Sequence, residues 1–229
     1  MKGESRQTPE LLSLNRPIKA PAQLLVEGRV PEMFFRELVK VMDLESSIEV
    51  RTFGDINKDN LQTFLELFCT KAAFKENVRT FGIIRDAEDK SAEAAFRSVA
   101  AALKAAGLPA PGALGQVEGE PLGIGIFILP NCADAGMLES LCLRAAAEDG
   151  ADAGVLSCVD ALFTCLASQN RQPRNPTKAR FAGYALARDV IDPQLGRAAQ
   201  QGAIPWAAPA FAPLKQFLLQ LAVSARPTG

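Results

Sequence analysis

No histidine occurs among the 229 residues of this chain. That absence removes serine–histidine–aspartate and cysteine–histidine nucleophiles, imidazole general bases, HExxH zinc sites and mixed cysteine–histidine fingers. Chemistry must run on carboxylates, lysine, arginine, hydroxyls, thiols, or a cation held by oxygen. Cysteine is sparse and odd in number: five residues, at 69, 132, 142, 158 and 165, with no C-x-x-C pair. A small disulfide scaffold is excluded, and reduced, mostly buried thiols are expected. Cys158 and Cys165, seven apart on one helix, are expected in the core. There is one Trp and one Tyr; Trp206, flanked by Pro205 and Pro209, is expected to anchor its segment on the core. Excess charge is also missing. With 25 basic and 26 acidic residues the formal net charge is -1, so any attraction for a polyanion must be local or supplied by a metal. No apolar run reaches the roughly 18 residues of a membrane span, and MKGESRQTPELLSLNRPIKAP has no signal-peptide core. No membrane association and a cytoplasmic location are expected. No G-x-x-x-x-G-K-[ST] is present, so there is no P-loop, and Gly123-x-Gly125 lies inside a strand, where packing explains it better than a dinucleotide does.

What is present is a clear alternation. Residues 1–20 are expected to form a mobile or loosely docked arm. QLLV (23–26) reads as a strand ending at Glu27-Gly28. VPEMFFRELVKVM (30–42) has helical apolar spacing, with Pro31 and Glu32 in a first turn that tolerates both. IEVRTF (48–53) is a strand, 54–59 a turn and 60–74 an amphipathic helix. RTFGIIR (79–85) is a strand ending at Asp86, and 91–107 is an Ala-rich helix stopped by Gly107. Residues 109–121 read as loop, LGIGIFILP (122–130) as a strand, and 136–146 as a helix. Strands alternating with helices predict parallel pairing, and unbroken apolar strands predict a sheet covered on both faces. Further on, helices are predicted over 153–169, 181–191 and 205–225, with QPRNPTKAR (172–180) a Pro-rich, basic break. The expected fold is α/β: a mostly parallel sheet of about four strands flanked by helices (21–150), with a helical C-terminal extension (151–229) packed on it.

In open α/β sheets, ligands bind beyond the carboxyl ends of the strands. There this sequence places acids repeatedly: Glu27 after the first strand, Asp86, Glu88 and Asp89 after the third, and Asp134 and Glu139 after the fourth. Clustered carboxylates repel, and one of them should hold its proton unless a cation intervenes. An all-oxygen donor set suits Mg²⁺, Mn²⁺ or Ca²⁺. Taken singly, Glu27 could be a helix-terminal charge and Asp86–Asp89 a solvated turn capping the next helix.

LLVEG followed by IIRDAED in this frame resembles the toprim domain of topoisomerases, bacterial primases and nucleases of the overcoming-lysogenisation-defect type. The signature is Glu-Gly after the first strand and D-x-D after the third. Glu27-Gly28 matches the first part; Asp86-Ala87-Glu88 matches the second with Glu for the second Asp. FGIIRDAED, GIFILPN and GMLESLCL are similar to a bacterial toprim-like family. The resemblance covers about residues 22–147. It implies a Rossmann-like fold with Mg²⁺ (or Mn²⁺) held by Asp86 and Glu88. Glu27 would be a ligand or the catalytic acid/base, Glu139 a further acid, and Asp89 a carboxylate able to replace Glu88. Arg29, Arg85, Lys90 and Lys178 are candidates to hold phosphates or nucleic acid. Such nucleases use a lysine, a catalytic role for which Lys178 is the candidate here.

The function implied is a divalent-metal-dependent nuclease or other phosphodiester-processing enzyme. The alternative is a degenerate toprim scaffold that binds a nucleotide, a nucleic acid or a protein without cutting; a purely structural or oligomerising protein is the third reading. Candidate partners are DNA or RNA, a second copy of the chain, and a separate ATPase or other protein.

Overall fold

A computed structural model describes residues 13–53, 60–150 and 152–225. At its centre lies a five-stranded sheet in the order β2-β1-β3-β5-β4. Strands β1 (Ala22–Glu27), β2 (Ile48–Phe53), β3 (Thr80–Asp86) and β5 (Gly123–Leu129) are parallel. The two-residue β4 (Val117–Glu118) runs antiparallel beside β5. The expected α/β class and mostly parallel sheet are observed. β4 falls in the stretch read as loop, where two residues among Gly and Pro have no period to reveal them.

The helices are α1 (Arg29–Val41), α2 (Asn60–Cys69), α3 (Ala72–Asn77), α4 (Ala92–Ala105), α5 (Leu138–Glu148), α6 (Ala153–Ser168), α7 (Pro176–Ala187), α8 (Leu195–Gln200) and α9 (Ala212–Ser224). The helix expected over 60–74 is two helices, broken where Lys71 adopts an extended ψ of 136°. The turn expected over 54–59 lies outside the described residues. The helix expected over 181–191 begins earlier, at Pro176, and stops at Ala187.

Alternate strand residues enter opposite layers. Leu24, Val26, Val50, Ile84 and Phe127 enter the core beneath α1 and α5 to α9. Leu25, Ile83, Ile124, Ile126 and Ile128 enter the core beneath α2, α3 and α4. Each fully buried side chain of this size stabilises by about 1.5–3 kcal/mol. With both faces covered, the central strands need no polar side, as their sequences foretold.

Helix α9 approaches the sheet closely because two glycines let it. Gly82 and Gly125 are register partners on β3 and β5. A Cβ at Gly125 would stand 2.6 Å from Phe217 Cε2, and one at Gly82 would stand 3.0 Å from Phe217 Cζ. Gly123-x-Gly125 is thus a packing feature. Trp206 also anchors its segment, with its ring 5.0 Å from that of Phe34 and 5.4 Å from that of Phe211.

The described part of the N-terminal arm is not loose. Arg51, fully buried on β2, donates to the carbonyls of Ser13 (2.7 Å), Arg16 (3.0 Å) and Pro17 (2.7 Å). It also bonds Gln23 Oε1 at 2.6 Å and pairs with Glu49 at 2.9 Å. The thiols correct another expectation. Only Cys142 is buried; Cys69 and Cys132 are half-buried, and Cys158 and Cys165 are exposed. Helix α6 turns Leu156 and Val159 inward, which leaves both cysteines on its solvent side. Among the described residues no helix is long and apolar enough to cross a membrane.

Candidate functional site

Strand β1 pairs with β2 on one side and β3 on the other. The connections leaving β1 and β3 therefore diverge, and a crevice opens between their carboxyl ends. A cleft of about 440 Å³ lies there. Val26, Ile84 and Leu129 line its apolar part, together with Phe35, Leu138, Phe181 and Leu195 from helices. Glu27, Arg85, Asp86, Glu88, Glu139 and Lys178 bring charge to it.

Each charged group is placed by a local rule. Glu27 is the last residue of β1, and Gly28 (φ 88°) turns the chain straight into α1. A side chain at position 28 would make that turn costly. Asp86 ends β3, opposite Leu129 of β5. Its Oδ1 accepts the backbone N–H of Leu138, the first residue of α5, at 2.9 Å. The acid thus serves the start of α5 rather than of the helix that follows it in sequence. That helix, α4, is capped by Ser91, whose hydroxyl accepts from the Ala94 N–H at 3.2 Å. Glu139 sits in the first turn of α5. Glu88 has a left-handed backbone (φ 56°), held by paired bonds to Gly136 at 2.7 and 2.8 Å.

Lys178 lies in the first turn of α7, not in a loop. The Asn175 side chain accepts its backbone N–H at 2.9 Å, and Pro176 occupies the first helical position. Asn followed by Pro is a helix-start signal, and it stood in the sequence. The walls from α7 and from Pro193, Gln194 and Leu195 belong to the C-terminal helices; apart from Lys178, no signal in the sequence assigns those helices to the site.

Other candidates stand elsewhere. Arg29, Asp89 and Lys90 are exposed and do not line the cleft. Asp134 also lies outside it, accepting from Asn131 and pairing with Arg144 at 2.8 Å. Arg85 lines the cleft, but its Nε pairs with Glu27 Oε2 at 3.4 Å.

The electrostatics centre on Asp86. Burial, then the neighbouring Glu139 and Glu27 carboxylates, push its pKa up to about 7 from the ordinary 3.8. The Leu138 N–H and the Lys178 ammonium oppose that shift without cancelling it. At neutral pH this carboxyl is poised between holding and releasing its proton, and an approaching cation would displace the proton. Among the described residues, no three acids or thiols form a ready-made metal cage. The available donors are carboxylate oxygens facing an open cleft. Such an arrangement suits a hard cation that completes its shell with water and phosphate.

A search of curated proteins finds no match. Two solved structures of the C-terminal region of the OLD protein from Xanthomonas campestris pv. campestris, one phased with mercury and one with iodine, are similar to this chain. Each shares 14% identity, covering 90% of this chain and 96% of the other, with a TM-score of 0.44. Residues 21–223 match the family described as protein of unknown function, DUF3226, and the chain belongs to that family.

Proposed function

We propose that this cleft is a divalent-metal-dependent, phosphodiester-processing site of toprim type. One observation carries the reading. Asp86, Glu27, Glu88 and Glu139 meet in a single cleft with Lys178 beside them, and burial, reinforced by the Glu139 and Glu27 carboxylates, holds a proton on Asp86 near neutral pH. Asp86 and Glu139 would hold Mg²⁺ or Mn²⁺, with water and the substrate's phosphate completing the shell. The ion would polarise a phosphoryl oxygen and acidify a bound water.

The chain's own groups account for the rest. Lys178 holds a non-bridging phosphate oxygen and offsets its charge. Glu27 is more exposed than Asp86 and accepts the proton of the attacking water, and Arg85, 3.4 Å from its Oε2, helps to orient it. The apolar walls of Phe35, Phe181 and Leu195 exclude bulk water and strengthen these interactions. In the reaction, water oxygen bonds to phosphorus as its proton passes to Glu27, one P–O ester bond breaks, and the leaving oxygen takes a proton from solvent water.

A second reading is a module that binds phosphodiesters without cutting them. Its support is the lack of a three-acid cage among the described residues, with Glu88 standing where a second Asp completes the toprim signature. Calorimetry with Mn²⁺ and Mg²⁺, on wild type and Asp86→Asn, tests for the metal site. Cleavage assays on DNA and RNA then separate the two readings. Binding abolished in Asp86→Asn, with metal-dependent strand scission by wild type, is the expected result. Metal binding without scission favours the second reading. No binding at millimolar metal, with or without a phosphodiester present, overturns the metal site.

A further inference from the structure

The cleft has an electrostatic difficulty. Four carboxylates line it in a chain of net charge -1, so neither the site nor the whole molecule attracts a polyanion. The missing charge is beside it. Residues 161–188 contain no Asp or Glu, and Arg171, Arg174, Lys178 and Arg180 fall within ten positions of one another. This segment joins α6 to α7, and Lys178 reaches the cleft.

A second depression, of about 370 Å³, lies against α5 and α7, two helices that also wall the cleft. Arg144 of α5 and Pro176, Thr177 and Arg180 of α7 line it. Helix α5 gives Leu138 and Glu139 to the cleft and Arg144 to the depression; helix α7 gives Lys178 and Phe181 to the one and Arg180 to the other. The two hollows are therefore neighbours across the first turns of α5 and α7. Arg144 pairs with Asp134 at 2.8 Å and Arg180 with Asp160 at 2.6 Å, but all four side chains are substantially exposed. The Arg144 pair is an exposed one and weak, whereas Arg180 grips Asp160 through both Nε and Nη2 at 2.6 Å; a phosphate presents the same pair of oxygens and competes for either guanidinium. Arg171 and Arg174 are exposed and form no ion pair among the described residues.

We infer that this basic surface, formed by Arg144, Arg180, Arg171 and Arg174, carries the backbone of a nucleic-acid strand into the cleft, so that the substrate is a polymer rather than a mononucleotide. The inference rests on the phosphodiester reading above. Positive charge spaced along a groove is what a repeating phosphate chain requires, whereas a mononucleotide would be served by Lys178 alone.

The test measures the affinity of fluorescein-labelled 20-mers (single-stranded DNA, single-stranded RNA and duplex DNA in separate arms) across a salt series in EDTA, where no cleavage intervenes. Arg171→Ala/Arg174→Ala and Arg144→Ala/Arg180→Ala are compared with wild type. Arg97→Ala removes a positive charge from α4, on the other face of the sheet. Each phosphate deprived of its arginine should flatten the salt slope by about 0.7 on a single strand, hence about 1.4 for each double variant. Thermal melts confirm folding, and the first pair, in an exposed connection, leaves the core intact. A flatter slope and weaker binding in both pairs, but not in Arg97→Ala, establishes the track and shows which strand type it prefers. Unchanged slopes, or no binding by wild type, overturn it. The metal calorimetry above is unaffected by these results, so the track can fail while the cleft stands.

Discussion

Asp86 and Leu138 share one hydrogen bond, 2.9 Å from carboxylate to backbone N–H, and through it the end of β3 is fastened to the start of α5. The same carboxylate that would meet a cation also holds a helix. Asn at position 86 keeps the acceptor oxygen, whereas Ala loses it. Asp86→Ala should therefore be less stable than Asp86→Asn by about 1 kcal/mol, in line with the removal of other helix-terminal acceptors. Urea denaturation of the two variants checks this; equal stability would mean that the bond contributes nothing.

The raised proton affinity of Asp86 makes stability depend on pH. Its folded pKa, about 7, exceeds the ordinary 3.8, so between these values the folded state binds more protons than the unfolded. The contribution is fully present below pH 3.8, is lost as pH rises, and is gone above pH 7. Asp86→Asn removes the titration. Relative to wild type, its melting temperature should improve from about pH 4.5 to about pH 8, as followed by circular dichroism in both proteins.

Neighbouring charges should move that midpoint in opposite directions. Glu139 raises the Asp86 pKa and Lys178 lowers it. Glu139→Gln should therefore bring the Asp86 titration to lower pH, and Lys178→Met should carry it higher. Carboxyl-carbon NMR of Asp86 reads both shifts. Movement in the same direction in both variants would contradict the electrostatic account.

The buried guanidinium of Arg51 organises the N-terminal side of the sheet. Arg51→Met would strand Gln23 Oε1 and the carbonyls of Arg16 and Pro17, and would take from Glu49 the nearer of its two guanidinium partners, leaving Arg16. A loss of about 3–5 kcal/mol is expected, as for other broken buried pairs. Arg51→Lys should not rescue it, because an ammonium cannot reproduce the planar fork. Chemical denaturation of all three proteins gives the comparison.

Gly125→Val should cost roughly 1–3 kcal/mol by overpacking, since its Cβ would meet Phe217 at 2.6 Å. Adding Phe217→Ala opens the space, so the double variant should lose less than the sum of the single losses. Strict additivity would show that the ring and the glycine do not share a slot.

The acids at the strand ends were legible because strands stop where apolar runs stop, and Glu27 and Asp86 stand at those stops. The rest of the site depends on contacts distant in sequence. Nothing near Asp86 announces that Leu138, 52 residues later, would donate to it. Helix α8 escapes notice because LGRAAQ shows little periodicity. Its small residues lie against α1, where a Cβ at Gly196 would stand 2.8 Å from Met33 Cβ. Arg51 gives no warning either, since a charged residue in IEVRTF looks like the solvent-facing half of an edge strand. The cysteines of α6 face solvent against expectation because apolar spacing marks two possible faces of that helix, and only packing selects one.

The paired glycines do more than make room. Gly82 and Gly125 stand opposite each other only in the observed alignment of β3 and β5. A slip of one residue would set Ile124 or Ile126 against Gly82, close the notch and expel Phe217. The ring works as a gauge pin that admits a single alignment. Four residues further along β3, about 13 Å at roughly 3.3 Å per residue, is Asp86. The notch thus sets the longitudinal position of a carboxylate it never touches, and an aromatic ring buried under the sheet keeps the cleft's acids aligned.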